Sequence, residues 1–159
     1  MKKIQQLPEI HEISIVDTRA DGNDFIVNRQ LIFLINQINQ QLFLIITTTK
    51  NQLTAYFLNQ QTTFDVPLDL AGTEFQLKVW NELLKIPFGS TRTYKQQAIA
   101  VGNLKAIRAV ATANGENRIS IIIPCHRVIG SDGSLTGYGG GIWRKQKLLE
   151  LETTQTKLF

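Results

Sequence analysis

The segment from Tyr94 to Asn114 constrains the fold of this chain more than any other feature. Tyr94 to Val101 is predicted to be a short helix, Gly102-Asn103 turns the chain, and Lys105 to Asn114 is predicted to be a second helix that Gly115 ends. Helix, tight turn and helix at this spacing have the proportions of a helix-turn-helix unit. A helical hairpin inside an ordinary core has the same proportions, so both interpretations stay open at this point.

The second predicted helix has one face made of small residues, namely Ala106, Ala109, Val110 and Ala113. Small side chains there let the helix pack closely on its neighbours. Arg108 lies off that face and points outward. In a helix-turn-helix unit this helix would enter a DNA groove with Arg108 on its exposed side.

The charge of the chain is unevenly distributed. Up to Leu70 there are five Lys/Arg against seven Asp/Glu, whereas from Ala71 onward there are twelve against six. Between Arg92 and Arg127 six basic residues stand beside one acidic residue, Glu116. A basic half suggests a polyanion partner, while the alternative is a solvated lysine-rich surface.

The length and composition indicate a globular protein with one domain or two small domains. Hydrophobic residues make up 43% and charged residues 19% of the 159 residues, which argues against disorder. No apolar run is long enough to span a bilayer, and the basic start has no apolar stretch behind it, so no secretory signal is expected. The expected compartment is therefore the cytoplasm. One cysteine, Cys125, excludes an internal disulfide and a zinc site with several thiolates.

The residues before Leu70 give weaker structural signals. A strand is predicted at Glu12–Thr18 and a second one at Phe25–Val27, while Leu31–Ile46 is ambiguous between helix and strand. Thr49–Asn59 is predicted to be a helix, with Leu53, Tyr56 and Phe57 on its apolar face and Thr48 or Thr49 as its cap. Phe64–Leu70 is predicted to be extended, because Pro67 blocks a helix there.

The second half gives clearer signals. A helix begins at Thr73 and ends before Pro87-Phe88-Gly89. Ile119–Ile123 is predicted to be a short buried strand, and Val128–Thr136 a small hairpin around Ser131–Ser134. Ile142–Glu152 is predicted to be a closing helix.

Pro124-Cys125-His126-Arg127 is the sharpest chemical feature of the sequence. A thiol is a strong nucleophile only as the thiolate, and the neighbouring His126 and Arg127 supply a base and a positive charge. Neighbours on an extended segment point to opposite sides, so a water or a bend would be needed between His126 and the sulfur. A carboxylate would be needed next to His126 to orient its ring, and the candidates are Glu150 and Glu152. The dipeptide alone is also compatible with a cysteine that is only a buried small hydrophobe.

The run Gly137-Tyr138-Gly139-Gly140-Gly141 is not a phosphate-binding loop. No Lys-Ser or Lys-Thr follows at the required spacing, and the glycines do not fit G-x-G-x-x-G. A loop that lets backbone approach a ligand is the favoured interpretation.

Together these segments resemble the O6-methylguanine-DNA methyltransferase family, from about Gln52 to Glu152. The strongest part of the resemblance is Ile121-Ile122-Ile123-Pro124-Cys125-His126-Arg127-Val128-Ile129. The other motifs that carry it are Pro67-Leu68-Asp69, Gly72-Thr73-Glu74-Phe75-Gln76, Val79-Trp80, Ile86-Pro87-Phe88-Gly89, Thr93-Tyr94, Lys105-Ala106-Ile107-Arg108-Ala109-Val110, Ala113-Asn114-Gly115, Gly137-Tyr138 and Arg144-Lys145.

The resemblance implies a fold and a reaction. It implies a ribonuclease-H-like α/β N-terminal domain over residues 1–70 and a mainly α C-terminal domain with a winged helix-turn-helix over residues 71–159. It implies direct-reversal DNA repair, in which the alkyl group of O6-alkylguanine in double-stranded DNA moves once and irreversibly to Cys125. Whether O4-alkylthymine is also a substrate stays open. A monomer without cofactor or metal is expected.

The resemblance also implies residue roles. Cys125 is the alkyl acceptor, His126 its base through a water, and Glu152 the group that orients His126. Asn117 ties the recognition helix to the active-site turn. Tyr94 helps rotate the nucleotide and donates a proton to the departing guanine, and Arg108 fills the vacated space. The remaining expected DNA contacts are Lys105, Thr93, Ala106, Arg127 and Asn114, and the expected base pocket is Val128, Tyr138, Gly139 and Gly140.

The chain departs from the pattern of many relatives at four positions. Leu104 and Arg118 stand where prolines are frequent, Gly139 where a serine or larger residue is frequent, and Gly140 where a tryptophan is frequent. These differences bear on alkyl size and rate. A damage sensor that flips the base without transfer is one rival, although such relatives lack the cysteine. A winged-helix regulator with an incidental thiol and a cysteine hydrolase are the others.

Overall fold

The computed structural model describes residues 29–156, with side chains for residues 33–153. The strands predicted at 12–18 and 25–27 lie outside the described residues. Contacts divide the chain into two units, Met1–Lys50 and Asn51–Phe159. The predicted extended segment at 64–70 therefore falls inside the second unit. The domain boundary predicted after residue 70 does not coincide with the boundary between these two units, which follows Lys50.

Helix α1 spans Arg29–Phe57 and settles the ambiguity at 31–46 in favour of helix. The prediction that a helix begins at Thr48 or Thr49 is wrong, because the Thr49 hydroxyl donates to the Ile45 carbonyl at 2.7 Å inside a continuous helix. Large apolar side chains are exposed along its first half: Phe33, Leu34, Ile35, Ile38, Leu42, Phe43, Leu44, Ile45 and Ile46. Within residues 29–156, no helix is both long enough and apolar enough to cross a membrane.

Helix α2 spans Glu74–Leu83 and begins where the sequence predicts. The Thr73 hydroxyl accepts from the Gln76 backbone N–H, and the Gln76 side chain accepts from the Thr73 backbone N–H, which makes a complete capping box. The inward face buries Val79, Trp80 and Leu83.

The predicted helix-turn-helix segment is helix, turn and helix in the structure. Helix α3 spans Tyr94–Ala100, a 3₁₀ turn spans Leu104–Ala106, and helix α4 spans Ile107–Gly115. Gly102 in the turn has φ +86°, a left-handed conformation that glycine adopts without a Cβ clash. The Trp80 indole donates to the Ala113 carbonyl at 2.8 Å and so ties α2 to α4.

The predicted strand at Ile119–Ile123 is wrong, because the segment forms a turn. The Ile123 N–H donates to the Ile119 carbonyl at 3.0 Å, and Ile121 has φ +75°. Asn117 accepts from the Ile119 N–H at 3.0 Å and donates to the Ile123 carbonyl at 2.9 Å. These groups are therefore not available for a strand ladder.

The predicted hairpin at 128–136 is wrong about the strand partner. Strand β2, Val128–Ile129, pairs in parallel with strand β1, Arg92–Thr93, with Arg92 opposite Val128. The turn after it closes on itself, because the Gly130 N–H donates to the Ser134 carbonyl at 2.9 Å. Helix α5 spans Ile142–Thr156 and confirms the predicted closing helix.

The core of the second unit lies between α2, α3, α4 and the segment that carries Cys125. Its buried members are Val79, Trp80, Leu83, Ile86, Tyr94, Ala98, Val101, Val110, Ala113, Ile123, Cys125 and Val128. The only cysteine of the chain is therefore part of the core that holds the helix-turn-helix segment.

Candidate active site

Cys125 opens a short 3₁₀ turn, Cys125–Arg127, and is 5% exposed. Its Sγ accepts a hydrogen bond from Asn117 Nδ2 at 3.2 Å. Asn117 follows the end of α4, and its amide also holds the turn at Ile119 and Ile123. One asparagine, placed directly after α4, thus contacts both the turn that precedes Cys125 and the sulfur itself.

Burial raises the pKa of the Cys125 thiol above its ordinary value. The hydrogen bond from Asn117 and the positive charge of Lys145 act in the opposite direction, as do the backbone N–H groups of Cys125 and His126. The site therefore keeps the resting sulfur as a thiol and surrounds it with groups that stabilise the thiolate once a base removes the proton.

Lys145 is fully buried on α5 and was given no role by the sequence reasoning. Its Nζ donates to the Val128 carbonyl at 2.6 Å and to the Thr136 carbonyl at 2.7 Å. Burial lowers its pKa to about 8, and the neighbouring Cys125 opposes that shift. A lysine at a buried position of a helix is a signal that sequence periodicity could have given, since Lys145, Leu148 and Glu152 share one face.

His126 is fully buried and its Nε2 lies 2.9 Å from Glu152 Oε1. Glu152 is an ionised acceptor at neutral pH, so Nε2 carries the hydrogen and Nδ1 is left with a lone pair. Nδ1 is buried and has no hydrogen-bond partner among the described residues. Burial lowers the pKa of His126, against the opposing effect of Glu152, so the ring is neutral and Nδ1 is a free base.

Glu152 is the carboxylate behind His126, and Glu150 is an exposed residue that pairs with Lys147 and Gln146. Glu152 is 1% exposed and also accepts from Arg127 Nε and Nη2, both within 3.2 Å. Burial acts to raise the pKa of Glu152, but the hydrogen bonds and charges of His126 and Arg127 together hold it at about 2.

Two further donors to Glu152 were not anticipated. Tyr56 Oη donates to Oε1 at 2.8 Å, and the Gly89 backbone N–H donates to Oε2 at 3.2 Å. The sequence reasoning used Tyr56 only as part of an apolar helix face, and no local pattern predicts a contact between residues so distant in the chain.

Tyr94 lies at the start of α3, with its hydroxyl toward the loop that precedes α5. The hydroxyl is within hydrogen-bond distance of the Thr136 carbonyl at 3.0 Å and the Gly137 carbonyl at 3.2 Å. Burial raises the pKa of Tyr94, so its hydroxyl keeps its proton at neutral pH. Tyr94 and Lys145 share the Thr136 carbonyl as an acceptor.

Two of the residues expected to frame a base lie beside the sulfur. Val128 is fully buried in the same cluster as Cys125, and the partly buried Tyr138 packs against that cluster. Burial raises the pKa of Tyr138, and the neighbouring Cys125 adds to this rise.

One glycine of the predicted base loop, Gly140, is explained by a close neighbour. A Cβ on Gly140 would lie 2.8 Å from Cε1 of the Tyr138 ring, which is closer than carbon atoms approach. A Cβ on Gly139 would lie 3.4 Å from the Gly115 carbonyl oxygen at the end of α4. The absence of a side chain at Gly140 therefore lets the loop pack against the Tyr138 ring, whereas the distance at Gly139 is an ordinary van der Waals contact that does not require glycine.

Some of the residues expected to contact DNA are exposed on the helix-turn-helix surface, and others are buried. Lys105 and Arg108 are exposed, while Ala106 and Thr93 are partly exposed. Arg127 is 6% exposed and holds Glu152 and the Ile86 carbonyl, so the expectation of a DNA contact from Arg127 is corrected.

Asn114 is also internal, at 4% exposure, although a DNA contact was expected from it as well. Its position in the register of α4 places it on the inward face with Val110 and Ala113.

Among the described residues, no three His, Cys, Asp or Glu side chains cluster in a way that would hold a metal ion.

The fold and the site together define a class, namely a helix-turn-helix domain with a buried thiol and a buried His–Glu pair in its core. Residues 74–154 match the family model described as 6-O-methylguanine DNA methyltransferase, DNA binding domain, and the chain belongs to that family.

Curated relatives carry the name methylated-DNA–protein-cysteine methyltransferase. The relative from Mycobacterium tuberculosis is 59% identical over 105 residues, which are 66% of this chain and 64% of that protein. The relative from Methanosarcina mazei is 54% identical over 107 residues, 67% of this chain and 68% of that protein. The chain thus spans slightly less than two thirds of the M. tuberculosis relative's length.

A solved structure, Mycobacterium tuberculosis OGT in complex with DNA, superposes on this chain with a TM-score of 0.68 and 57% identity. The match covers 69% of this chain and 68% of that chain.

Proposed function

We propose that this protein repairs double-stranded DNA by accepting the alkyl group of O6-alkylguanine on Cys125, in a single irreversible transfer. The observation that carries the proposal is the thiol itself, which is held by Asn117 and followed in the chain by a neutral His126 whose Nε2 is fixed by Glu152 and whose Nδ1 has no partner among the described residues. The name of the relatives, methylated-DNA–protein-cysteine methyltransferase, describes methyl transfer from methylated DNA to a protein cysteine for those proteins.

The proposed transfer is one displacement at a saturated carbon. Nδ1 of His126 takes the thiol proton through a water molecule, and Glu152 stabilises the resulting imidazolium. The thiolate attacks the alkyl carbon, so that an S–C bond forms while the C–O6 bond breaks and its electron pair stays on the guanine. Tyr94 donates its hydroxyl proton to the departing guanine, and solvent restores it. The thioether has no easy hydrolysis route, which makes the transfer stoichiometric.

The base must leave the helical stack to reach the sulfur of Cys125, a residue that is 5% exposed. Extrusion costs about a few kcal/mol, and Arg108 on the exposed side of α4 is proposed to occupy the vacated space. Lys105 and other exposed cations around the helix-turn-helix segment would contact phosphates, so affinity should fall with salt. Val128, Tyr138, Gly139 and Gly140 are proposed to line the base.

The decisive experiment is an intact mass measurement after incubation with a duplex oligonucleotide that contains O6-methylguanine. We expect a gain of one methyl group, mapped to Cys125, with one equivalent of lesion consumed and no gain for Cys125→Ser. Tight binding of the lesion without an adduct would instead indicate a damage sensor, and repeated turnover would indicate a hydrolase. A parallel arm with O4-methylthymine tests whether that base is also a substrate.

A further inference from the structure

Tyr56 is a fully buried tyrosine near the end of α1, and the proposed mechanism does not use it. Its ring is enclosed by aromatic side chains, with Phe57 at 5.3 Å, Phe64 at 5.5 Å and Phe88 at 6.0 Å between ring centroids. This packing leaves the ring little freedom, so the direction of the hydroxyl is set by the core.

The Tyr56 hydroxyl donates to Oε1 of Glu152 at 2.8 Å. The same oxygen lies 2.9 Å from His126 Nε2 and 2.8 Å from Arg127 Nη2. The carboxylate oxygen that holds the imidazole is therefore itself held by a neutral donor and a cation. Burial and the neighbouring Glu152 raise the pKa of Tyr56 far above its ordinary value, so this donor keeps its proton at every pH at which the protein works.

We propose that Tyr56 is a positioning residue for alkyl transfer, whose hydroxyl fixes Oε1 of Glu152 and thereby keeps the His126 ring oriented with Nδ1 available as the base. This inference rests on the proposed function. A hydrogen bond to the carboxylate also makes that carboxylate a weaker base. The Nε2 hydrogen thus stays on the imidazole, and Nδ1 remains the nitrogen that accepts a proton from the thiol side.

The test compares Tyr56→Phe with wild type in single-turnover methyl transfer from duplex O6-methylguanine across a range of pH. The substitution removes the hydroxyl and keeps the ring. Loss of part of this hydrogen bond to a charged group predicts transfer about tenfold slower, which corresponds to about 1.4 kcal/mol in the activation free energy. We also expect a shifted pH profile of transfer, because Glu152 without this donor is a stronger base toward the Nε2 hydrogen of His126. The affinity for DNA should be unchanged.

Phe64→Leu is the matched control, because Phe64 packs on the same ring without donating to Glu152. It should lower stability while shifting the pH profile of transfer much less than Tyr56→Phe does, because the Tyr56 hydroxyl is retained. Site-specific fluorotyrosine at position 56 retains both ring and hydroxyl and should transfer at close to the wild-type rate. The fluorotyrosine variant also serves as the test if Tyr56→Phe does not fold. A folded fluorotyrosine variant that transfers the methyl group slowly would contradict the inference, because it retains the hydroxyl donor.

A double-substitution cycle separates this role from a merely structural one. If Tyr56 acts through Glu152, Tyr56→Phe should add little further loss of rate in a Glu152→Gln background. Fully additive losses, or a wild-type rate and pH profile for Tyr56→Phe, would overturn the inference. Failure of the wild-type protein to transfer a methyl group at all would instead refute the proposed function.

Discussion

Replacement of Glu152 by glutamine should remove a large part of the stability of this protein. The side chain is 1% exposed, and its pKa is about 2 in the folded protein against an ordinary value of 4.5. At about 1.4 kcal/mol per pKa unit, that difference corresponds to about 3 kcal/mol of folding free energy at neutral pH. Because glutamine also leaves Arg127 buried without its counter-ion, we expect a total loss of about 3–5 kcal/mol.

The pH dependence gives the prediction a second, independent readout. The folded carboxyl has the lower pKa, so its contribution is fully present above the unfolded value and is lost as pH falls toward the folded value. About 2 kcal/mol of it should be gone by about pH 3. The stability difference between wild type and Glu152→Gln should therefore narrow from neutral to acidic pH.

Urea unfolding at about pH 7 and about pH 3 measures both quantities, and Glu150→Gln is the matched control. Glu150 lies on the same helix, is exposed and pairs with Gln146 and Lys147. We expect its replacement to change stability little, because surface pairs of this kind contribute little. A Glu152→Gln variant as stable as the control, or a difference from wild type that is the same at both pH values, would refute the reasoning.

Three other substitutions test separate parts of the structure. Arg108→Ala should slow repair of duplex DNA more than reaction with the free methylated base, and equal losses on both substrates would exclude a role in holding the extruded state. Lys145→Met should move the alkylation of Cys125 by iodoacetamide to higher pH, since the buried cation favours the thiolate; an unchanged pH profile would argue against that electrostatic effect. Trp80→Phe should cost about 1–3 kcal/mol in urea unfolding, because the Ala113 carbonyl loses its donor, and a loss below about 0.5 kcal/mol would show that this bond is dispensable.

The helices around the site could be predicted because their start signals are local. Thr73 and Thr93 each form a capping box with the glutamine three residues later, and both boxes are visible in the sequence. The false start predicted at Thr49 has an equally local cause. A threonine hydroxyl that caps a helix in one context donates to the carbonyl four residues earlier in another, and the sequence does not distinguish the two.

The short strands could not be predicted because their partners are distant or their backbone groups are already taken. Val128 pairs with Arg92 rather than with the nearby Leu135–Thr136 segment, and no local pattern contains that choice. The apolar run from Ile119 to Ile123 looks like a strand. It does not form one, because a single side chain, that of Asn117, binds the backbone at both of its ends.

Part of the candidate site could be predicted from the sequence. Cys125 and His126 are adjacent in sequence, but the argument that neighbours point apart assumed an extended segment, whereas the residues form a 3₁₀ turn. The choice between Glu150 and Glu152 follows from periodicity once Lys145 and Leu148 are recognised as the buried face of α5. Arg127 could be predicted as a cation but not as an internal one, since its partner lies 25 positions away.

Helix α5 contributes both Lys145 and Glu152, the two buried charges that act on the thiol and on its base. Burial raises the pKa of the thiol, and the cation on this helix acts against that rise. Detachment of this one helix from the core would therefore remove, in a single event, the positive charge near the sulfur and the carboxylate that orients His126.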